Sequence, residues 1–210
     1  MPILIAFVAS NRNFAKMFHI WSILGIKSQL KVQEKCVFEK FLFCPACGSL
    51  DLIFEEGKRY LCKTCKNEYF HNVATAAGLF IITKAGLVLE RRAREPGLGF
   101  YSLPGGFVDP GERAEMAVLR ECREEIGWEP ALEDLHFLCT HPNRYVYRGM
   151  LYNSCDIYFY THVDTIDVDK LTLDLTEVSA VEIVPIKEVD IRQFAFEANR
   201  EAFKQLLVSP

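Results

Sequence analysis

The sequence lacks several features that define whole classes of protein. No apolar run approaches the roughly 18 residues of a membrane-spanning helix, so we expect no membrane association. It has no basic tract, and its net charge of −4 argues against a general nucleic-acid binder. It has neither an internal repeat nor a low-complexity segment. Its 210 residues therefore predict one or two globular domains with a real core.

The N-terminal part carries the least information. Residues 1–10 and 18–26 are apolar, and Arg12 and Lys16 follow the first of these runs. A signal peptide has its positive charge before the apolar run, so this order disfavours a signal or anchor. We interpret residues 1–40 as an N-terminal extension or tail. It is a poorly ordered segment, an upstream extension of the reading frame, or a helix that docks on the core.

Four of the eight cysteines form two C-x2-C pairs, Cys44 with Cys47 and Cys62 with Cys65. Four soft thiolates at this spacing predict a closed, structural Zn²⁺ site, and residues 41–71 are expected to form a zinc ribbon. Disulfides and a thioredoxin-like redox motif are the alternatives, but two pairs are the wrong number for the latter. Metal-bound cysteines are typical of a reducing cytosol, so we expect a cytoplasmic location.

Alternating and helical patterns after residue 73 predict an α/β domain. Strands before, between and after two helices favour a mixed sheet covered by helices. The predicted strands occupy 73–83, 87–92, 132–140, 152–163 and 177–184, and the predicted helices occupy 112–126 and 191–207. Gly127 is a suitable left-handed stop for the first helix.

The first helix carries three glutamates on one face, Glu121, Glu124 and Glu125. A solvated acidic surface is the ordinary explanation of such a group. Here Glu112 and Arg120 accompany the group at fixed offsets, and carboxylates kept together against their repulsion usually bind a cation. Oxygen ligands favour Mg²⁺ or Mn²⁺.

These residues fill every fixed position of the Nudix box, G-x5-E-x7-R-E-U-x-E-E-x-G-U. They are Gly106, Glu112, Arg120, Glu121, Glu124, Glu125 and Gly127. The two aliphatic positions hold Cys122 and Trp128. The sequence therefore resembles the Nudix hydrolases, and the resemblance implies a Nudix α/β/α sandwich with a mixed sheet over residues 73–210.

The resemblance also implies a role for each residue of the box. Glu121 and Glu125 are expected as the principal metal ligands, with Glu124 as a ligand or the general base. Glu112 is expected to reach a metal through water or to steady the site, and Arg120 to orient the carboxylates by charge-assisted hydrogen bonds. Glu121, Glu124 and Arg120 are thus the expected catalytic residues.

Two further metal ligands are expected outside the helix. The backbone carbonyl of Gly106 is expected to complete a coordination shell. Glu177 is the preferred additional carboxylate, because Glu177-Val-Ser-Ala-Val resembles the Glu-Ile-x-Asp-Ala segment of the family. Glu182 is the fallback, and an exposed strand residue is its alternative explanation.

A zinc ribbon before a Nudix domain is similar to the NADH pyrophosphatase branch. That branch carries S-Q-P-W-P-F-P-x-S after the box, whereas residues 140–149 here read T-H-P-N-R-Y-V-Y-R-G. We predict a loop over 141–149, in which aromatic and basic side chains bind substrate or simply face solvent. The expected substrate-binding residues are Arg91, Arg92, Arg144 and Tyr145, with Tyr147 and Arg148 as further choices.

The expected activity is Mg²⁺-dependent cleavage of the diphosphate linkage in ADP-ribose, NAD(H) or a similar nucleoside diphosphate derivative, releasing a nucleoside monophosphate. Sanitation of nucleoside triphosphates is an alternative within the class. A nucleotide-sensing or RNA-binding regulator is the alternative from another class, and the complete set of carboxylates disfavours it. Decapping of NAD-linked RNA would need a basic track. Homodimers are frequent in the family, so we expect a possible homodimer.

Overall fold

The computed structural model of the chain describes residues 41–147 and 150–208. Residues 1–40, interpreted above as an extension or tail, and Arg148 lie outside the described part. The two ranges contain two separate β-sheets, one small and one large.

The small sheet is antiparallel and has three strands. β1 (Leu52–Glu55) and β2 (Arg59–Cys62) form a hairpin between the cysteine pairs, and β3 (Glu68–Phe70) pairs with β2. The turn uses Glu56 and Gly57, whose φ angles are 52° and 71°. This left-handed conformation is common for glycine and tightens the connection.

The large sheet has seven strands and is mixed. Its strands are β4 (Ala74–Ile82), β5 (Leu87–Arg92), β6 (Tyr101–Ser102), β7 (Gly105–Phe107), β8 (His136–Tyr147), β9 (Met150–His162) and β10 (Val178–Val184). The order is β10-β5-β4-β9-β8, with β6 beside β5 and β7 beside β4. The β4–β9 pair is parallel and the remaining pairs are antiparallel.

Two helices cover this sheet, α1 (Ala114–Ile126) and α2 (Glu197–Val208). Alternation along β4 divides the core, because successive side chains of a strand point to opposite faces. Leu79 and Ile81 pack in the cluster that contains α1, whereas Phe80 packs in the cluster that contains α2. The predicted sandwich with a mixed sheet is thus confirmed.

Helix α1 begins two residues later than predicted, after Arg113 as its N-cap, and ends at the predicted Ile126. Gly127 follows in the left-handed conformation with φ 66°, and its N–H donates to the carbonyl of Arg123 at 3.1 Å. The buried face includes Ala117 and Cys122, as the apolar spacing predicts. Within the described residues, no helix has the length and apolar character needed to cross a bilayer.

Two segments differ from the sequence-based expectation. The predicted loop over 141–149 largely belongs to a long hairpin, in which β8 runs to Tyr147 and pairs with β9. Polar residues occupy both faces of this strand, since Asn143 lines a cavity and Arg144 is exposed, and they conceal the apolar alternation. The last helix starts at Glu197 rather than at 191, because the N–H of Ala195 donates to the carbonyl of Tyr101 and holds the chain against β6.

Candidate active site

Arg120 connects the carboxylates of the box. Its guanidinium donates to Glu112 Oε1 at 3.1 Å, to Glu121 Oε1 at 2.8 Å and to Glu124 Oε2 at 3.1 Å. It also donates to the backbone carbonyl of Phe107 at 3.0 Å. The hydrogen bonds from Arg120 lower the pKa of Glu112, and the glutamates raise the pKa of Arg120. One cation therefore fixes three carboxylates and ties α1 to β7.

Two carboxylates of the box, Glu125 and Glu121, are largely kept from water. Glu125 is 7% exposed, and its Oε2 accepts the N–H of Gly105 at 2.8 Å. Burial, followed by the nearby Glu90, raises the pKa of Glu125 well above its ordinary value. Burial also raises the pKa of Glu121. A Cβ on Gly106 would lie 2.6 Å from the Cδ of Glu121, so the absence of a side chain there makes room for the carboxylate.

Sequence reasoning missed Glu90, a third buried carboxyl group. Glu90 lies in β5, is 1% exposed, and accepts from Ser102 Oγ at 3.4 Å through Oε2. Among the described residues, no hydrogen-bond partner reaches its Oε1. Burial raises its pKa to about 8. Strand alternation places it with Val88 on the face that α1 covers, so a glutamate at such a position in an apolar strand was the available signal.

A cavity of about 490 Å³ opens beside this group. Its lining includes Glu121, Glu124 and Glu125 together with Gly105 and Gly106. The structure thus brings the predicted residues of α1 and β7 to a single surface. Glu112 is not part of the lining and contacts it through Arg120.

The predicted substrate residues divide into two groups. Arg92 and Tyr145 line the cavity, whereas Arg91 and Arg144 do not. Arg91 pairs with Glu182 at 2.8 Å, and its guanidinium lies 3.7 Å from the centre of the Tyr101 ring. Arg91 therefore has a structural partner on the neighbouring strand.

Glu177, the preferred additional carboxylate, lies on the cavity wall. Arg94 Nη2 donates to its Oε2 at 2.6 Å and also lines the cavity. The sequence analysis did not single out Arg94. Glu182, the fallback, accepts from Arg91 and from the Tyr101 hydroxyl at 2.8 Å and lies outside the lining. The geometry favours Glu177 over Glu182.

The box carboxylates fit a hard dication by the chemistry of their donors. They offer oxygen ligands only, and two of them, Glu121 and Glu125, are largely shielded from water. Glu124 is 58% exposed, so its carboxylate is accessible to a metal ion.

The four cysteines predicted to bind zinc are gathered at one place. Their sulfur atoms lie within 4.8 Å of one another, with Cys44 to Cys65 at 3.6 Å and Cys47 to Cys62 at 3.7 Å. A disulfide would need roughly 2.05 Å. A tetrahedral Zn²⁺ with Zn–S near 2.3 Å places its sulfurs roughly 3.8 Å apart, which these distances fit. The N–H of Cys65 donates to Cys62 Sγ and lowers the pKa of Cys62 to about 6.

Comparison with known proteins agrees with this geometry. The family model described as NUDIX domain matches residues 73–206, well over half of the chain. The chain belongs to the Nudix family.

Two curated proteins illustrate what this Nudix chain is similar to. One is the ADP-ribose pyrophosphatase of Methanocaldococcus jannaschii, 38% identical over 96 residues that cover 42% of this chain and 56% of that protein. The other is the NAD-capped RNA hydrolase NudC of Stutzerimonas stutzeri, 30% identical over 105 residues that cover 50% of this chain and 34% of that protein. The Nudix chain thus spans only part of the length of these relatives.

Solved structures support the Nudix fold. The MutT NUDIX hydrolase of Burkholderia pseudomallei has a TM-score of 0.54 at 24% identity, covering 64% of this chain and 98% of that one. The NUDIX domain of Shewanella oneidensis NrtR, solved with ADP ribose, has a TM-score of 0.54 at 23% identity, covering 66% of this chain and 88% of that one. At these identities the likeness concerns the fold alone.

Proposed function

We propose that this chain is a Mg²⁺- or Mn²⁺-dependent pyrophosphohydrolase that cleaves ADP-ribose, NAD(H) or a similar nucleoside diphosphate derivative and releases a nucleoside monophosphate. The observation that carries the proposal is that Glu121, Glu124 and Glu125 all line one cavity of about 490 Å³. Relatives named ADP-ribose pyrophosphatase and NAD-capped RNA hydrolase support this substrate class.

Each residue of the box has a task in this reaction. Arg120 holds the carboxylates in place, and the N–H of Gly105 orients Glu125. When bound, Mg²⁺ or Mn²⁺ supplies neutralisation of the diphosphate charge and acidification of a water molecule. Glu124 is the most exposed carboxylate of the group and is free to accept a proton from the attacking water. We assign Gly106, Glu112, Glu121, Glu124, Glu125 and Glu177 to the metal site.

The cavity wall supplies cations for the substrate. Arg92 and Arg94 line it, and a guanidinium matches the geometry of phosphate oxygens. Arg94 is held by Glu177, and Arg92 donates from Nε to the carbonyl of Pro96 at 2.7 Å. Each guanidinium is therefore oriented before substrate arrives, which reduces the entropy lost on binding. Arg92 and Tyr145 thus remain proposed substrate contacts.

The organisation of the chain also enters the proposal. We assign residues 41–71 to a zinc ribbon and 73–210 to the Nudix domain, with Zn²⁺ in a structural role. The sulfur distances support zinc, and the chemistry of these thiols suits a reducing, cytoplasmic compartment. The ribbon before the box is similar to the NADH pyrophosphatase branch. A homodimer is a further proposal, checked by light scattering of the purified protein.

A panel of substrates tests the activity directly. Purified protein is incubated with ADP-ribose, NADH, nucleoside triphosphates and NAD-capped RNA, with Mg²⁺, with Mn²⁺ and without added metal. We expect metal-dependent release of AMP from ADP-ribose, measured by liquid chromatography. Pyrophosphate released from triphosphates alone would instead favour nucleotide sanitation. Tight binding of ADP-ribose without turnover would favour the regulator. AMP from NADH but not from ADP-ribose would show that NADH specificity does not need the S-Q-P-W-P-F-P-x-S segment, which residues 140–149 lack.

A further inference from the structure

A buried carboxylate that is not part of the box, Asp156, lines the same cavity. Ser154, Asp156 and Tyr158 alternate along β9 and therefore share one face, the face that α2 covers. Asp156 is 7% exposed, and its hydrogen-bonding neighbours within the described residues are Asn143, Ser154 and Tyr158, none of which is cationic. A carboxylate in such a place is costly to bury unless other groups hydrogen-bond to it.

Each oxygen of Asp156 has one strong donor. Ser154 Oγ donates to Oδ1 at 2.6 Å, and Asn143 Nδ2 donates to Oδ2 at 2.8 Å. The orientation of Asn143 is fixed because its Oδ1 accepts the N–H of Arg144 at 2.9 Å. The two donors come from neighbouring strands, since Asn143 pairs with Ser154 across β8 and β9.

Tyr158 does not use the remaining hydrogen-bond acceptor positions of the Asp156 carboxylate. Its hydroxyl lies 3.4 Å from Asp156 Oδ2 but 2.7 Å from Asn199 Oδ1 on α2. A hydroxyl has a single hydrogen, and the shorter contact takes it. Each carboxylate oxygen can accept about two hydrogen bonds, so Asp156 keeps one acceptor position on each oxygen. Two adjacent acceptors fit two adjacent donors of a ligand.

The carboxylate of Asp156 has open space beside it and aromatic rings in the same cavity. Asp156 is paired with Ala76 on β4, and Ala76 is paired with Phe107 on β7, so β7 lies roughly 10 Å away, two strand spacings. Because Ala76 has a small side chain, it leaves open space above the sheet between Asp156 and β7. The rings of Tyr145 and Phe196, with centres 5.7 Å apart, line the same cavity. A nucleoside bound beside them can extend its phosphate towards the box.

We propose that Asp156 is a specificity-determining residue that accepts a pair of adjacent hydrogen-bond donors from the nucleoside half of the substrate. This inference rests on the proposed function for the identity of the ligand as a nucleotide. The donors are either the vicinal hydroxyls of a ribose or adjacent N–H groups on the edge of a base. Both sources present the same chemistry to the carboxylate.

Binding of nucleoside monophosphates tests the proposal without any need for turnover. Calorimetric titrations compare AMP, GMP, IMP and 2′-deoxy-AMP on the wild type, on Asp156→Asn and on a control, Asp164→Asn, whose carboxylate pairs with Lys84 on the surface. We expect Asp156→Asn to weaken AMP or GMP by about tenfold or more, the loss of charge-assisted hydrogen bonds, while Asp164→Asn binds normally. Unchanged binding by a folded Asp156→Asn would overturn the proposal.

The choice of ligands distinguishes ribose hydroxyls from base N–H groups as the donors. It also provides a test on the wild type alone, which holds even if the variant does not fold. If ribose hydroxyls are bound, wild type discriminates AMP from 2′-deoxy-AMP, and Asp156→Asn loses that discrimination. If a base edge is bound, wild type prefers GMP to IMP, which lacks the second N–H group. A wild type that shows neither preference, or binds none of these nucleotides, contradicts the proposal even if the variant fails to fold.

The outcome is separable from that of the proposed function. Failure of every substrate to be hydrolysed would remove the activity but leave the nucleotide discrimination of Asp156 measurable. Where a substrate is hydrolysed, Asp156→Asn should raise KM with kcat largely retained, because Asp156 contacts a part of the ligand remote from the reacting phosphate. A purely structural residue would change the melting temperature without changing the preference between ligands.

Discussion

Two buried carboxyl groups, Glu125 on α1 and Glu90 on β5, differ in their access to the cavity. Glu125 accepts the N–H of Gly105 and lines the cavity, whereas Glu90 lies deeper and has one oxygen without a hydrogen-bond partner among the described residues. Burial raises the pKa of both groups. Glu125 is accessible to a ligand. Glu90 is not, and it affects the site by raising the pKa of Glu125.

We expect Glu125→Gln to leave the fold nearly intact and to lower turnover by at least about 100-fold, since a metal site supplies several kcal/mol of charge stabilisation. The amide oxygen of glutamine can still accept the N–H of Gly105, so stability should change little. Initial rates with ADP-ribose and saturating Mg²⁺ measure the effect, and the circular dichroism spectrum is the control. Wild-type activity in the variant would refute the assignment of Glu125.

Glu90 predicts a pH dependence of stability. Its pKa is raised from 4.5 to about 8 in the folded chain. Between these values the folded chain holds a proton that the unfolded chain has released, so the free energy of unfolding falls as pH rises through this window. Glu90→Gln removes this loss. Its stability relative to wild type should be near zero at about pH 5 and about 1–3 kcal/mol higher at about pH 9.

Urea unfolding of both proteins across this pH range, without added divalent metal, measures the difference. Asp164→Asn is a suitable control, since its side chain is exposed and its variant should follow wild type. Curves for Glu90→Gln and wild type that run parallel at every pH would show that Glu90 does not titrate in the window.

At the scale of elements, the contact between β7 and its neighbours assigns different tasks to two adjacent glycines. Gly105 has φ 153°, and a Cβ there would overlap the backbone carbonyl of Ala77 on β4. A Cβ on Gly106 would instead overlap the carboxylate of Glu121, the movable end of a side chain. The clash at Gly105 would disturb the pairing of β7 with β4, whereas the clash at Gly106 would displace the carboxylate of Glu121.

We therefore expect opposite results from the two alanine variants. Gly105→Ala should lower the free energy of unfolding by about 1–3 kcal/mol or more, because the backbones of β7 and β4 must move apart. Its melting temperature should fall accordingly. Gly106→Ala should stay close to wild type in stability and lose Mg²⁺-dependent activity, because Glu121 is displaced. Thermal unfolding and initial rates on the pair measure both effects. Equal loss of stability in the two variants would contradict this division.

Element boundaries show why one part of the site was predictable and another was not. The box occupies a single strand–helix unit, so helical spacing already places Glu121, Glu124 and Glu125 on one face. The segment after the box was expected to be a loop because polar residues such as Asn143 and Arg144 interrupt the apolar pattern. In the structure it is β8, where Asn143 lines the cavity and Arg144 is exposed, so polar side chains occupy both faces of the strand and no apolar alternation is visible.

At the scale of the whole molecule, the ribbon and the Nudix domain use separate sheets. Among the described residues, no strand of the small sheet pairs with the large one, and no cavity-lining residue precedes Ala76. The ribbon is also small, with three strands of three or four residues. Sheets of this size need an additional crosslink for stability.

Removal of zinc should therefore unfold the ribbon and spare catalysis. We expect Cys62→Ser to lose bound zinc, measured by atomic emission, and to become sensitive to proteolysis within residues 41–71. Mg²⁺-dependent hydrolysis should be largely retained, because the cavity belongs to the other sheet. The matched control is Cys155→Ser, which removes an exposed thiol outside the cluster. Immediate loss of activity on chelation, with the ribbon still protected, would indicate a catalytic zinc.

The sequence alone determined the parts of this protein whose residues are close together along the chain. The box and the paired cysteines each use local spacing, which a helix or a turn converts into position with little freedom. Only the tertiary structure decided which residues from distant strands lie next to one another. Glu90, Arg94 and Asp156 meet the site only because β4 pairs with β5 on one side and β9 on the other. No local pattern encodes which buried polar residue faces a cavity, since that depends on the packing of both helices against the sheet.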